Sequence, residues 1–360
     1  MDFALLLEWI IKAIIIIVAL LVGFMYVTYY ERKALARIQV RIGPNRAGPR
    51  GLLQPMADGL KLIFKEELVP AKADKLIFIL APVITVIPAL VILAVVPFGD
   101  TVILFGREIS LALTDINIGI LYITAIASIS IYGIVLAGWS SNNKYAMLGG
   151  IRSSAQMISY EIALGLAFIG PMLLANSMSV KDIIDAQKEA GWFFIWQPVG
   201  ALVFWIATLA EVNRAPFDMP EAEQELTAGY HTEYSGLKFA LFYMAEYIKM
   251  IAVSAIAVAL FFGGYRGPFV DQVPWLGPIW LFAKVIALLF GMIWVRATLP
   301  RIRYDRLMAF GWKILFPLAL ANVFLTAVGV VFEMLWIIPL LTILLAAIMA
   351  YFTRKAIGRR

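Results

Sequence analysis

Long apolar runs separated by short polar stretches dominate the chain. The runs at 3–30, 74–97, 118–138, 155–177, 193–212, 237–263, 277–299, 314–333 and 336–352 are each near the ~20 residues of helix that cross a hydrocarbon core of ~30 Å. The pattern predicts an all-α integral membrane protein, a bundle of about nine transmembrane helices forming one membrane domain over 1–360. The ninth run is the shortest and reads as an extra C-terminal helix. Residues 1–30 do not read as a signal peptide, because Asp2 and Glu8 make the start acidic and no small-residue cleavage site follows.

Two polar segments are too long to be turns. Residues 43–73 open with Gly-Pro-Asn and further Gly-Pro pairs. Leu52, Leu53, Met56, Leu60, Ile63 and Phe64 then follow at helical spacing. This predicts an amphipathic helix along the membrane surface, for which an interfacial anchor is the plain explanation. The other segment, 213–236, is a long acidic loop.

Cations fix an orientation. Arg32 to Lys75, the loops holding Lys144, Arg152, Arg214, Lys238 and Arg296 to Lys313, and the tail from Arg354 to Arg360 all fall on one side. The opposite loops carry only Arg107, Lys181, Lys188 and Arg266. The positive-inside rule therefore predicts a periplasmic N-terminus and a cytoplasmic C-terminus, which nine spans satisfy. The same bias accounts for the net charge of +6 without nucleic acid.

Composition narrows the chemistry. The chain is 62% hydrophobic and 15% charged, with no cysteine and one histidine, His231. Cysteine-held zinc or iron–sulfur clusters, disulfides and cysteine nucleophiles are excluded, and so is bis-histidine haem ligation within one chain. Electrons would have to arrive on another protein's cofactor. No nucleotide-binding loop, HExxH or nucleophile elbow is present.

Ionisable residues within spans are costly and point to function. Glu161, in ISYEIALG, has no cation three or four residues away. Because desolvation disfavours the charged form, it is a candidate proton carrier; a protonated acid bonded to a neighbouring helix is the alternative. Glu246 and Lys249 are spaced to face each other, as are Glu211 and Arg214, so local ion pairs explain them equally well. Lys12 and Lys284 fit snorkelling. In EVNRAPFDMPEAEQELTAGYHTEYSG, Asp218 and Glu221 form a capping-box pattern with Pro220 in the first turn. Capping does not account for Glu223, Glu225 and Glu233 as well. Such crowding spreads proton affinities into coupled steps and suits proton storage or transfer.

Three stretches, YERKALARIQVRIGPNRAGPRGLLQPMADGLKLIFKEE from Tyr30, RSSAQMISYEIALGL from Arg152 and EVNRAPFDMPEAEQELTAGYHTEY from Glu211, resemble the H-subunit family of respiratory complex I. IRYDRLMAFGWKILFPLAL from Ile302 adds a fourth, and the similarity covers roughly 5–335. The resemblance implies the membrane end of a quinone chamber, with quinone as substrate and no metal or covalent cofactor in this chain. It maps quinone binding onto Glu31, Arg32, Asp58, Lys61, Arg214, Phe217 and Asp218. A proton relay maps onto Glu161, Glu211, Glu221, Glu223, Glu225, Glu233 and Glu246. Implied partners are the hydrogenase-like quinone-site subunit, the terminal iron–sulfur subunit, small membrane subunits and lipid, in the bacterial inner membrane. One departure is Ser128, where some members carry an acid. Rival readings are a homologous subunit of a membrane-bound hydrogenase or dehydrogenase, a secondary transporter, for which no internal repeat is visible, and a pure scaffold.

Overall fold

A computed structural model describes residues 3–104, 107–219 and 227–357. Among them, seven helical stretches are long and apolar enough to cross a membrane: Leu5–Ile38, Lys75–Val95, Gly119–Ser140, Lys144–Ala175, Gly236–Phe261, Leu276–Thr298 and Tyr304–Val331. The other two of the nine predicted runs fall on shorter apolar helices, Pro198–Glu211 and Ile337–Met349.

In chain order the helices are α1 (Phe3–Ile38), α2 (Gln54–Ile63), α3 (Lys75–Val91), α4 (Gly119–Ser140), α5 (Lys144–Ala175), α6 (Val180–Ala190) and α7 (Phe193–Trp196). They continue as α8 (Pro198–Glu211), α9 (Gly236–Phe261), α10 (Leu276–Thr298), α11 (Tyr304–Phe310), α12 (Phe316–Val331) and α13 (Ile337–Ile357). A π-helical turn, Gly311–Leu315, joins α11 to α12. Asp74 caps α3 by accepting from Leu76 and Ile77, and Asn143 caps α5 by accepting from the Tyr145 amide.

The bundle is built around α9. In its most apolar stretch 89% of residues are buried, against 17% in α1, which lies on the outside. Helix α1 has 36 residues, about 54 Å at 1.5 Å per residue, so its Arg32 to Arg37 end reaches beyond a bilayer core. Helices α3, α4 and α5 pack closely because small residues let backbones approach. A Cβ on Gly138 would stand 2.7 Å from the Ala146 carbonyl oxygen, and one on Gly133 would collide with Thr85.

Several elements differ from the expectation. A two-stranded antiparallel hairpin, β1 (Thr101–Leu104) and β2 (Arg107–Ser110), interrupts the all-α pattern. Helix α5 begins at Lys144 rather than 155, because Asn143 caps it early and its polar first half, including Ser153 and Gln156, is buried against neighbours. Helix α6 was not expected; Ser179 caps it, and Val180, Ile183, Ile184 and Gln187 form one buried face. The run 193–212 is split at Gln197, whose φ of −132° and ψ of 60° are non-helical, because the residue before a proline is pushed out of the α region. The amphipathic segment forms a 3-10 turn, Pro49–Gly51, and then the ten-residue α2, with Met56, Leu60 and Ile63 exposed.

Candidate functional site

The end of α1 sets the first cluster. Glu31 is buried and takes contacts from two cations: Arg214, just after α8, at 3.6 Å, and Arg296 in the last turn of α10. The Arg214 guanidinium also lies over the Tyr247 ring, 4.2 Å from its centroid. Burial opposes the charge on Arg214, but Tyr247, Glu31 and Glu246 outweigh it and raise its pKa above the ordinary guanidinium value. Arg214 is therefore a fixed positive charge. A largely apolar cleft of about 400 Å³ runs between α1, α9 and α10 and is lined by Tyr26, Val27, Tyr30 and Leu289. Tyr30 is the residue before Glu31, so the cleft ends beside the charged cluster.

The turn that carries Arg214 is held by Gln156. This fully buried amide on α5 donates to the carbonyls of Ala210 at 2.8 Å and Phe217 at 2.7 Å, and to Asn213 Oδ1 at 3.3 Å. Phe217 packs on Tyr160 and Phe310, and Tyr160 donates to the Leu307 carbonyl at 2.9 Å.

The second cluster lies deeper. Lys249 on α9 is buried in the field of three carboxyl groups, Glu211 on α8, Glu246 on α9 and Glu161 on α5. Its Nζ donates to Ser130 Oγ on α4 at 2.5 Å. Ser128, close by on α4, donates to Glu161. A cavity of about 20 Å³ lies between Glu161, Thr208 and Glu211, room for about one water. Tyr230 donates to Glu246 at 3.5 Å. Because Glu246 acts on both Arg214 and Lys249, the two clusters form one electrostatic line.

Other expected residues lie apart. Arg32 and Asp58 form an exposed pair at 2.5 Å, with Gln54 also donating to Asp58, and Lys61 is exposed on the same helix. Asp218 is half-buried beyond Phe217. Glu233 accepts from Asn143 at 2.7 Å, tying the loop to the α5 cap rather than to the deeper acids. Nearby, burial pushes the Tyr234 hydroxyl up to about 12, against a smaller opposing effect of Ser140. Glu221, Glu223 and Glu225, with the capping pattern around Pro220, lie outside the described residues.

Some expected pairings resolve differently. Arg214 turns to Glu31, while Glu211 faces Lys249. Lys12 pairs with Glu8 at 2.6 Å, and Lys284 donates to the carbonyls of Phe262, Gly264 and Arg266. Tyr247, Ser130 and Gln156 are site residues that the sequence does not single out, and Arg296 stands there only as a loop cation. A glutamine and a serine inside apolar helices were the available signal; nothing local distinguished Arg296 from other loop cations.

Fold and site define a class, a polytopic helical membrane protein with a buried line of charge running inward from one membrane surface. The model of the NADH dehydrogenase family matches residues 11–327, and the chain belongs to that family. It is 50% identical over 330 residues to an NADH-quinone oxidoreductase H subunit of Geobacter sulfurreducens, covering 89% of this chain and 94% of the relative. The NADH-quinone oxidoreductase H subunit of Thermomicrobium roseum is 50% identical over 330 residues, covering 86% and 95%. NADH-quinone oxidoreductase subunit 8 of Thermus thermophilus is 50% identical over 323 residues, covering 90% and 87%.

Proposed function

We propose that the chain is the H subunit of a proton-translocating NADH-quinone oxidoreductase, forming the membrane end of its quinone chamber and linking quinone reduction to proton movement. The observation that carries this reading is the buried Glu31, Arg214 and Arg296 cluster at the end of an apolar cleft. An apolar quinone tail fits the cleft, and the cations suit a headgroup that gains negative charge on reduction.

Electrons come from an iron–sulfur cluster in a partner on the cytoplasmic side, since this chain has no cysteine to hold one. Negative charge on the reduced quinone is drawn to Arg214 and Arg296. Arg214 is also in the field of Glu246, so compensating its charge from the quinone side changes the balance around Lys249, Glu211 and Glu161. Protons then redistribute among the three carboxyls. Glu221, Glu223, Glu225 and Glu233 supply protons or charge at the chamber face. The hydrogenase-like quinone-site subunit covers that face, and small membrane subunits pack laterally. The chain sits in the inner membrane with its N-terminus periplasmic and its C-terminus cytoplasmic.

The test compares acceptors. Arg214→Ala in the assembled complex should lose quinone reduction while keeping ferricyanide reduction, which needs no quinone chamber. Equal loss of both, with assembly verified, would assign Arg214 a structural role.

A further inference from the structure

Glu211 ends α8, and the opposite end of that helix holds a second polar group that the charge line does not use. Gln197, at the break before Pro198, and Asn322 and Thr326 on α12 are almost wholly buried. Gln197 Nε2 donates to Thr326 Oγ1 at 3.0 Å, and Thr326 donates to the Asn322 carbonyl at 2.7 Å. No donor among the described residues reaches Gln197 Oε1 or Asn322 Oδ1. A buried amide oxygen without a partner is costly, and such acceptors are ordinarily satisfied by internal water. Gly170 and Gly200 let these amides pack directly against the backbone of α5 and α8. A Cβ at Gly200 would stand 2.9 Å from Asn322 Nδ2 and 3.1 Å from Gln197 Oε1, and one at Gly170 would collide with the same Gln197 oxygen. Two glycines from α5 and α8 thus open the space in which these amides meet.

This group is in register with the acids. Gly200, Phe204, Thr208 and Glu211 recur every three or four residues, so they share one face of α8 over about 17 Å, with Gln197 just before its first turn. The small cavity beside Glu161 and Glu211 is bounded by Phe204 and Phe168, whose rings meet edge to face 5.5 Å apart. This aromatic pair stands between the acids and the glycine gap along that face.

We propose that Gln197, Asn322 and Thr326 form a water-binding node through which protons pass between the Glu161 and Glu211 cavity and the membrane face opposite Arg214. Each proton arriving on a node water is matched by one leaving to the outer water, and the amides stay neutral. The passage step rests on the proton-relay reading; the hydration step does not.

The absence of cysteine in this chain makes hydration testable, because a thiol introduced here is the only one the chain carries. Thr326→Cys and Gln197→Cys are treated in sealed vesicles with a small charged methanethiosulfonate applied to one side at a time, and labelling of this chain is read by mass. Ala207→Cys, equally buried within apolar α8, is the dry control. The node cysteines should label about tenfold faster than the control, from the face opposite Arg214, because only a hydrated thiol ionises. Labelling no faster than Ala207→Cys at both positions, with assembly verified, overturns the node. Passage is read with a pH-gradient dye: Gln197→Leu with Thr326→Val should at least halve proton translocation per quinone reduced. An unchanged ratio in a hydrated node overturns the passage. Full pumping in Glu161→Gln would remove the acid relay while leaving the labelling result in force.

Discussion

The two charged clusters are built from the same kinds of charge in opposite proportion. At the end of α1 one carboxylate, Glu31, meets two guanidinium groups. Around Lys249 three carboxyl groups meet one ammonium. Arginine does not give up its proton, so the first cluster holds its charge and can only attract or release an anion. Three acids around one lysine hold a shared and adjustable number of protons. Under the proposed function this difference would give charge sensing to the first cluster and proton handling to the second, with Glu246 acting on both.

The largest effect should come from Arg214. Removing one partner of a buried pair costs about 3–5 kcal/mol, so Arg214→Ala should lower quinone reduction on the order of a hundredfold. Arg214→Lys, which keeps the charge but not the fork over Tyr247, should recover part of it. If Lys restores nothing, geometry rather than charge defines the first cluster.

Next is Glu161→Gln, which keeps size and hydrogen bonding but cannot titrate. Quinone reduction and pumping should fall together by about tenfold or more, with Glu161→Asp intermediate. Full activity and pumping would make Glu161 a structural acid and erase the contrast. Ser128→Ala removes one hydrogen bond to Glu161, worth about 1 kcal/mol, and should slow coupled turnover about fivefold. Glu221→Gln and Glu225→Gln should each cost about twofold and together clearly more, as expected when neighbours share a proton; turnover in the double variant no lower than in the singles would deny that sharing. The smallest effect belongs to Asp58→Ala. Its exposed pair with Arg32 is worth about 0–1 kcal/mol, so quinone reduction should drop no more than about twofold, and a loss as large as that of Arg214→Ala would place α2 inside the first cluster.

The transmembrane pattern was readable because apolar length alone specifies it. Each of the nine expected runs overlaps an apolar helix, yet Pro198–Glu211 and Ile337–Met349 fall below the length of the other seven. Hydrophobicity does not register a break such as Gln197, where one backbone angle ends a helix without any polar run. Glu161, Glu211, Arg214 and Glu246 were identifiable singly, because charge within or beside an apolar run stands out, whereas Glu31 came only through the family resemblance. Their grouping was not, since it joins α1 to α10 and α4 to α5 through distant residues. Ser128 shows the limit most clearly. Where the sequence only lacked an acid, the fold places a hydroxyl that donates to Glu161.

Helix α5 adds a mechanical consequence. Its 32 residues form one helix with a single internal proline, Pro171, near its far end, and Gln156, Glu161 and Gly170 sit along it, about 21 Å from first to last. Gln156 grips both ends of the turn bearing Arg214, while Gly170 lies against Gln197. A stiff rod held at two points transmits displacement as tilt or sliding, with little loss along its length. An ångström of travel in the turn would therefore reach Glu161 through the helix itself, with no proton handed along that distance.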